Sequence, residues 1–159
     1  MTTATATDAR QRDTTPSALS RYYTELLSWP TVIDPDAGEV RLHLGERIDA
    51  LVMRAGFGGE VNHELVRAMM RVPIIIMPGE KAVDWVFLTL PRTPMRRATV
   101  DDLVAAQVGW YKAGSTIALP AFDAIDGGLR WLQRPEPAVE LPDWGTVVGA
   151  VRRTFTRTW

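Results

Sequence analysis

The chain has 159 residues, 46% of them apolar and 23% charged, and no cysteine. That is the size of one domain with a core of its own, and without Cys there are no thiolate metal sites, iron–sulfur clusters, thiol nucleophiles or disulfide scaffolds. Eighteen basic against nineteen acidic residues leave a net charge of −1, which argues against a chain built throughout as an electrostatic clamp on nucleic acid or lipid.

Met1–Thr15 is rich in Thr and Ala, and lacks both apolar periodicity and the apolar stretch of a secretory signal. It reads as a flexible tail, with residues 16–159 as a single domain and the cytoplasm as the expected location. Pro16-Ser17-Ala18 opens a helix in which Leu19, Tyr22, Tyr23, Leu26 and Leu27 share one face, and Trp29-Pro30 ends it. Thr31-Val32-Ile33 predicts a strand, Asp34 to Gly38 a turn, and the alternation of Val40, Leu42 and Leu44 a half-buried strand. Ile48 to Met53 follows as a third strand.

Gly56-Phe57-Gly58-Gly59 reads as a loop, and Asn62 as the N-cap of a short helix through Met69-Met70. Val72 to Met77 is wholly apolar and β-branched, the pattern of a central strand, and Trp85 to Leu88 predicts its neighbour. Thr99-Val100-Asp101-Asp102 resembles a capping box ahead of Leu103, Val104 and Val108. Thr116 to Leu119 and Leu129 to Leu132 suggest a hairpin around Asp126-Gly127-Gly128. Leu141-Pro142-Asp143 introduces a last helix with Val147, Val148 and Val151 on its buried face. The order α-β-β-β-α-β-β-α-β-β-α predicts an α+β domain, one mixed sheet with helices packed on it.

Few residues suggest chemistry. The glycine run lies where backbone amides can cradle phosphate, but position 61 is Val, Glu60 would repel an anion, and no Gly-Lys-Ser/Thr follows. Asp34-x-Asp36 has the spacing of a metal-sharing pair and also the composition of a turn. His43 and His63 have no partner at ligand spacing, and Ser17, Ser20, Ser28 and Ser115 stand in no nucleophile motif. The six Trp are expected to pack core. Sixteen of the eighteen basic residues are Arg, and they concentrate twice: Arg92, Arg96 and Arg97 in a Pro-rich loop, and Arg152, Arg153 and Arg157 at the end of the last helix beside Phe155 and Trp159. Such arginines suit phosphate, singly or forked, although a helix C-terminus attracts cations without any ligand.

Tyr22-Tyr23 followed by Leu26-Leu27-x-Trp29-Pro30, then Gly114 to Pro120, Leu129-Arg130-Trp131-Leu132, Pro135 and Leu141-Pro142, form a pattern with a counterpart. Over roughly Ser17 to Arg153 the chain resembles a shortened, divergent form of the bifunctional DNA primase/polymerase N-terminal (Prim-Pol) domains common in actinobacteria. The resemblance implies an Asp-x-Asp at a strand end holding two divalent ions, and a later His contacting nucleotide. Here the corresponding strands read Ile48-Asp49-Ala50-Leu51-Val52-Met53-Arg54 and Asp84-Trp85-Val86-Phe87, so neither motif transfers. What it implies is a catalytically silent relative with no catalytic residue, metal or cofactor. The expected role is nucleic-acid-associated or regulatory, through Arg92, Arg96, Arg97, Arg152, Arg153 and Arg157. The alternatives are a module that pairs with itself as a homodimer, and an active metal-dependent nucleotidyltransferase in which Asp34, Asp36 and Asp49 converge. No membrane partner is expected.

Overall fold

Successive side chains of an extended strand point to opposite faces, and at residues 49–54 both faces find cover. The computed structural model describes residues 15–122, 124 and 127–158; apart from Thr15, the expected N-terminal tail lies outside the described residues. Among the described residues four helices, α1 (Pro16–Glu25), α2 (Ala55–Arg67), α3 (Arg97–Ala105) and α4 (Trp144–Thr158), accompany eight strands. The strands are β1 (Thr31–Asp34), β2 (Glu39–His43), β3 (Asp49–Arg54), β4 (Ile74–Pro78), β5 (Val83–Thr89), β6 (Gly109–Trp110), β7 (Thr116–Ala118) and β8 (Arg130–Gln133). The α+β class is as expected, with the two-residue β6 as an addition.

The single mixed sheet is corrected to two sheets, of order β1-β2-β7 and β6-β3-β5-β4-β8, in which every pairing is antiparallel. The expected hairpin is corrected with it. β7 pairs with β2 (Leu42↔Ile117), while β8 pairs with β4 (Ile75↔Trp131), so the two segments lie in different sheets. Side chains direct β7 to β2: Arg41 Nε donates to Thr116 Oγ1 at 2.8 Å, and its Nη2 to the Thr116 carbonyl at 2.9 Å.

Three layers result. One face of the larger sheet carries Leu51, Met53, Ile74 and Phe87, with Leu51 opposite Phe87 in the ladder. Val61 and Leu65 of α2, Leu103 of α3 and Trp144, Val147, Val148 and Val151 of α4 cover that face. The opposite face carries Ala50, Ile75, Val86 and Leu88, covered by Val40, Leu42 and Ile117 of the smaller sheet and Leu19 and Tyr23 of α1. Each large side chain so buried contributes roughly 1.5–3 kcal/mol. Trp29 and Trp144 are buried, and Trp85, Trp110 and Trp131 pack against the two cores, as expected of core tryptophans; Trp159 lies outside the described residues.

The helix starts hold two corrections. α1 begins as predicted, Thr15 Oγ1 accepting from Ala18 N at 3.2 Å with Pro16 in the first turn. The glycine run is not a loop: it lies inside α2, which starts at Ala55, so Asn62 is mid-helix and caps nothing. A Cβ on Gly58 would stand 3.2 Å from Trp85 Cε3 and 3.3 Å from Trp85 Cβ, so the missing side chain lets α2 sit directly on β5. The expected capping box is also absent. α3 starts at Arg97 with no side-chain cap, and Asp102 accepts from Arg152 instead. α2 and α3 end alike. Met69 and Gln107, both at φ 59°, turn the chain so that Met70 N bonds Leu65 O and Val108 N bonds Leu103 O, each at 2.9 Å. These are the six-to-one bonds of a Schellman close, made without its usual glycine.

Candidate nucleic-acid interface

Helical spacing already sorts the arginines of α4. Arg153 and Arg157 are four residues apart and share a face; Arg152 is turned about 100° from Arg153. Arg152 faces α3, where its Nε donates to Asp102 Oδ2 at 2.8 Å. Arg153 and Arg157 face α2 and converge on Glu64, with Arg153 Nε 3.7 Å from its Oε2 and Arg157 Nη2 on its Oε1. Gly149 leaves room for this, since a Cβ there would stand 3.2 Å from the Arg153 Nη1.

α2 contributes the stripe Glu60, His63, Glu64 and Arg67, spaced to lie along one side of the helix. Between the stripes runs a groove in two parts. One, about 620 Å³, is bordered by Gly56, Glu60, His63, Thr154 and Arg157. The other, about 600 Å³, is bordered by Arg67, Arg153, Thr156 and Arg157. Glu64 and Arg157 line both parts and join them. The Glu64 side chain is only 14% exposed, whereas those of Arg153 and Arg157 are more than half exposed. One shielded carboxylate thus holds two guanidiniums in place while leaving three, with Arg67, open to solvent on the same surface. Arg67 was not among the expected residues; it is the basic residue in the last turn of α2, and nothing local in the sequence placed α2 against α4.

The loop arginines are elsewhere. Arg92 is tied to Asp49, the first residue of β3: its backbone N–H donates to Asp49 Oδ2 at 2.8 Å, and its Nε is 3.7 Å from the same oxygen. Arg96 and Arg97 are exposed at the start of α3, and among the described residues neither makes an ion pair.

The acidic residues are dispersed. Asp34 Oδ1 accepts from the backbone N–H groups of Asp36 and Ala37 at 3.0 and 3.3 Å, closing the β1–β2 turn with the left-handed Gly38. Asp49 and Asp84 lie at opposite ends of the β3–β5 ladder, about 17 Å apart at the usual rise per residue. Among the described residues no three His, Asp or Glu side chains are placed to hold a metal ion.

The residues that carry the primase/polymerase resemblance meet at a different place. Tyr23 is fully buried; its hydroxyl donates to the Pro120 carbonyl at 3.1 Å and accepts from Trp131 Nε1 at 3.0 Å. Its ring stacks on Trp29 with centroids 5.5 Å apart. Burial pushes the Tyr23 phenol far above its ordinary value near 10. These residues form a packing cluster of the second core.

No helix among the described residues is long and apolar enough to cross a membrane. In comparisons with known proteins, no family model, no curated protein and no solved structure matches the chain.

Proposed function

We propose that the chain is a non-catalytic, primase-polymerase-like domain with a nucleic-acid-associated role, and that the α2–α4 groove is its contact with phosphate. The observation that carries this reading is the convergence of Arg67, Arg153 and Arg157 around Glu64. The dispersal of Asp34, Asp49 and Asp84 supports the non-catalytic part.

Both arginine-bearing helices end near their basic residues, where the helix dipole favours cations and opposes an anion. A lone phosphate therefore gains little here, and a polymer that presents phosphates at regular spacing is the better ligand. Two to three neutralised phosphates give a log–log salt slope of about −1.8 to −2.7, so binding weakens roughly 12- to 40-fold between about 50 and 200 mM salt.

Fluorescence anisotropy with labelled duplex and single-stranded DNA tests this. The expected result is low-salt binding with that slope, lost when Arg67, Arg153 and Arg157 are replaced by Ala together. No binding at low salt, or binding that ignores the triple replacement, overturns it.

Self-association is a second reading with one observation in its favour. β1, an edge strand among the described residues, exposes Val32 (53%) and Ile33 (42%), and no described strand pairs with its outer side. Sedimentation equilibrium would show a dimer abolished by Ile33→Lys; a strict monomer removes the reading.

A further inference from the structure

The segment joining β5 to α3 reads Leu90-Pro91-Arg92-Thr93-Pro94-Met95-Arg96 and has no regular secondary structure. Pro91 and Pro94 fix their own φ near −65°, and each pushes the residue before it, Leu90 and Thr93, into the extended region. Arg96 stands at φ −67°, ψ 153°, which are polyproline II values. A polyproline II helix turns once every three residues and so has three edges.

Burial follows that period. From Pro91 on, Arg92 and Met95 are half-buried, while Pro91, Thr93, Pro94 and Arg96 are exposed; Leu90, which opens the segment, is also half-buried and its N–H donates to the Pro142 carbonyl at 2.8 Å. The inward edge is fastened, Arg92 by its backbone bond and ion pair to Asp49, and Met95 by packing against the core under the helices. The two outward edges display Pro-x-x-Pro-x-Arg.

We propose that this segment is a preformed docking ligand for a protein partner with an aromatic-lined groove and an acidic pocket at one end that receives Arg96. A groove of that class can take Pro91, Thr93, Pro94 and Arg96 on the two exposed edges and leave the third edge free, with Leu90 held by the protein as the segment's fixed start. The positions such a groove leaves free, Arg92 and Met95, are the ones turned into this protein. Because Asp49 and Met95 already hold the segment extended, its ordering costs little when a partner binds. The segment lies outside the α2–α4 groove, so this inference stands or falls separately from the nucleic-acid reading.

The test is competition. An isolated SH3 domain selective for Pro-x-x-Pro-x-Arg is loaded with a labelled proline-rich peptide, and the full-length chain is titrated in. Wild type and Arg97→Ala are expected to displace the peptide alike, while Pro94→Ala and Arg96→Ala displace it at least roughly tenfold less well, about 1.4 kcal/mol. Circular dichroism confirms that each variant is folded. Failure of the folded wild type to displace the peptide overturns the proposal, as does equal displacement by all four chains. DNA binding that falls with Arg96→Ala as it does with Arg157→Ala also overturns it, assigning the loop to nucleic acid.

Discussion

Replacing Tyr23 by Phe removes one oxygen and leaves two polar groups without their partner. The Pro120 carbonyl loses a donor at 3.1 Å and the Trp131 indole loses an acceptor at 3.0 Å. The ring stays, so its stack on Trp29 and its contact with Phe122 are kept and the hydroxyl is isolated as the variable. Pro120 is buried and has no water to turn to, so its carbonyl bears most of the desolvation cost; Trp131 is half-buried and recovers part of its own. At about 1–3 kcal/mol for each stranded buried group, the loss is about 2–4 kcal/mol. With a urea dependence of about 2 kcal/mol per molar, the unfolding midpoint falls by about 1–2 M. Tyr22→Phe is the control, expected within about 0.5 kcal/mol of wild type, since among the described residues the Tyr22 hydroxyl forms no hydrogen bond. Equal midpoints for the two variants would show that the hydroxyl does not tie α1 to β8 and to the chain after β7.

Alkaline pH should act on the same residue. Burial raises both Tyr23 and Tyr111, the latter with a smaller push from the charge of Asp84. The unfolded chain releases these protons near pH 10 while the fold retains them, so their stabilisation is complete below about pH 10 and is lost as pH rises through the folded values. Denaturant midpoints should fall above about pH 10, less steeply in Tyr23→Phe; a flat profile refutes this. Gly58→Ala should be less stable than Gly56→Ala by about 1–3 kcal/mol in thermal melts, because a Cβ at 58 meets Trp85 whereas at 56 nothing lies within 4 Å. Met69→Gly should raise stability by about 0.5–1 kcal/mol by relieving a left-handed backbone at φ 59°, and a loss would refute the strain argument. Glu64→Gln should tighten duplex DNA binding several-fold and steepen the salt slope by about 0.9, since it frees Arg153 and Arg157 from their counter-charge. An unchanged slope would place the phosphates elsewhere.

Local pattern located most elements but not their partners. The alternation at 40–44 and the apolar run at 72–77 announced β2 and β4, because burial on known faces is written into consecutive residues. Nothing in Thr116 to Ala118 records that β2, about 75 residues earlier, is its neighbour, so a hairpin to the next strand was the natural expectation. The glycine run misled for another reason. Glycine costs about 1 kcal/mol in a helix relative to alanine, and only the approach of α2 to Trp85, a tertiary contact, outweighs that. At the candidate interface, the shared face of Arg153 and Arg157 was legible from their spacing. The partner of Arg152, the pinning of Arg92 and the arrival of Arg67 were not, since each depends on Asp102, Asp49 or α2 being brought alongside.

The pairing of β2 also sets an order of events when the chain folds. Its β1 neighbour is joined by one tight turn, and a hairpin of that kind closes within microseconds. Its β7 neighbour must cross a loop of some 75 residues, whose closure is entropically costly and slow. In the interval β1–β2 is a ribbon with Val40 and Leu42 uncovered and a backbone edge open on the side that β7 later takes. Refolding yield should therefore fall as protein concentration rises, with encounters between such ribbons competing against the arrival of β7.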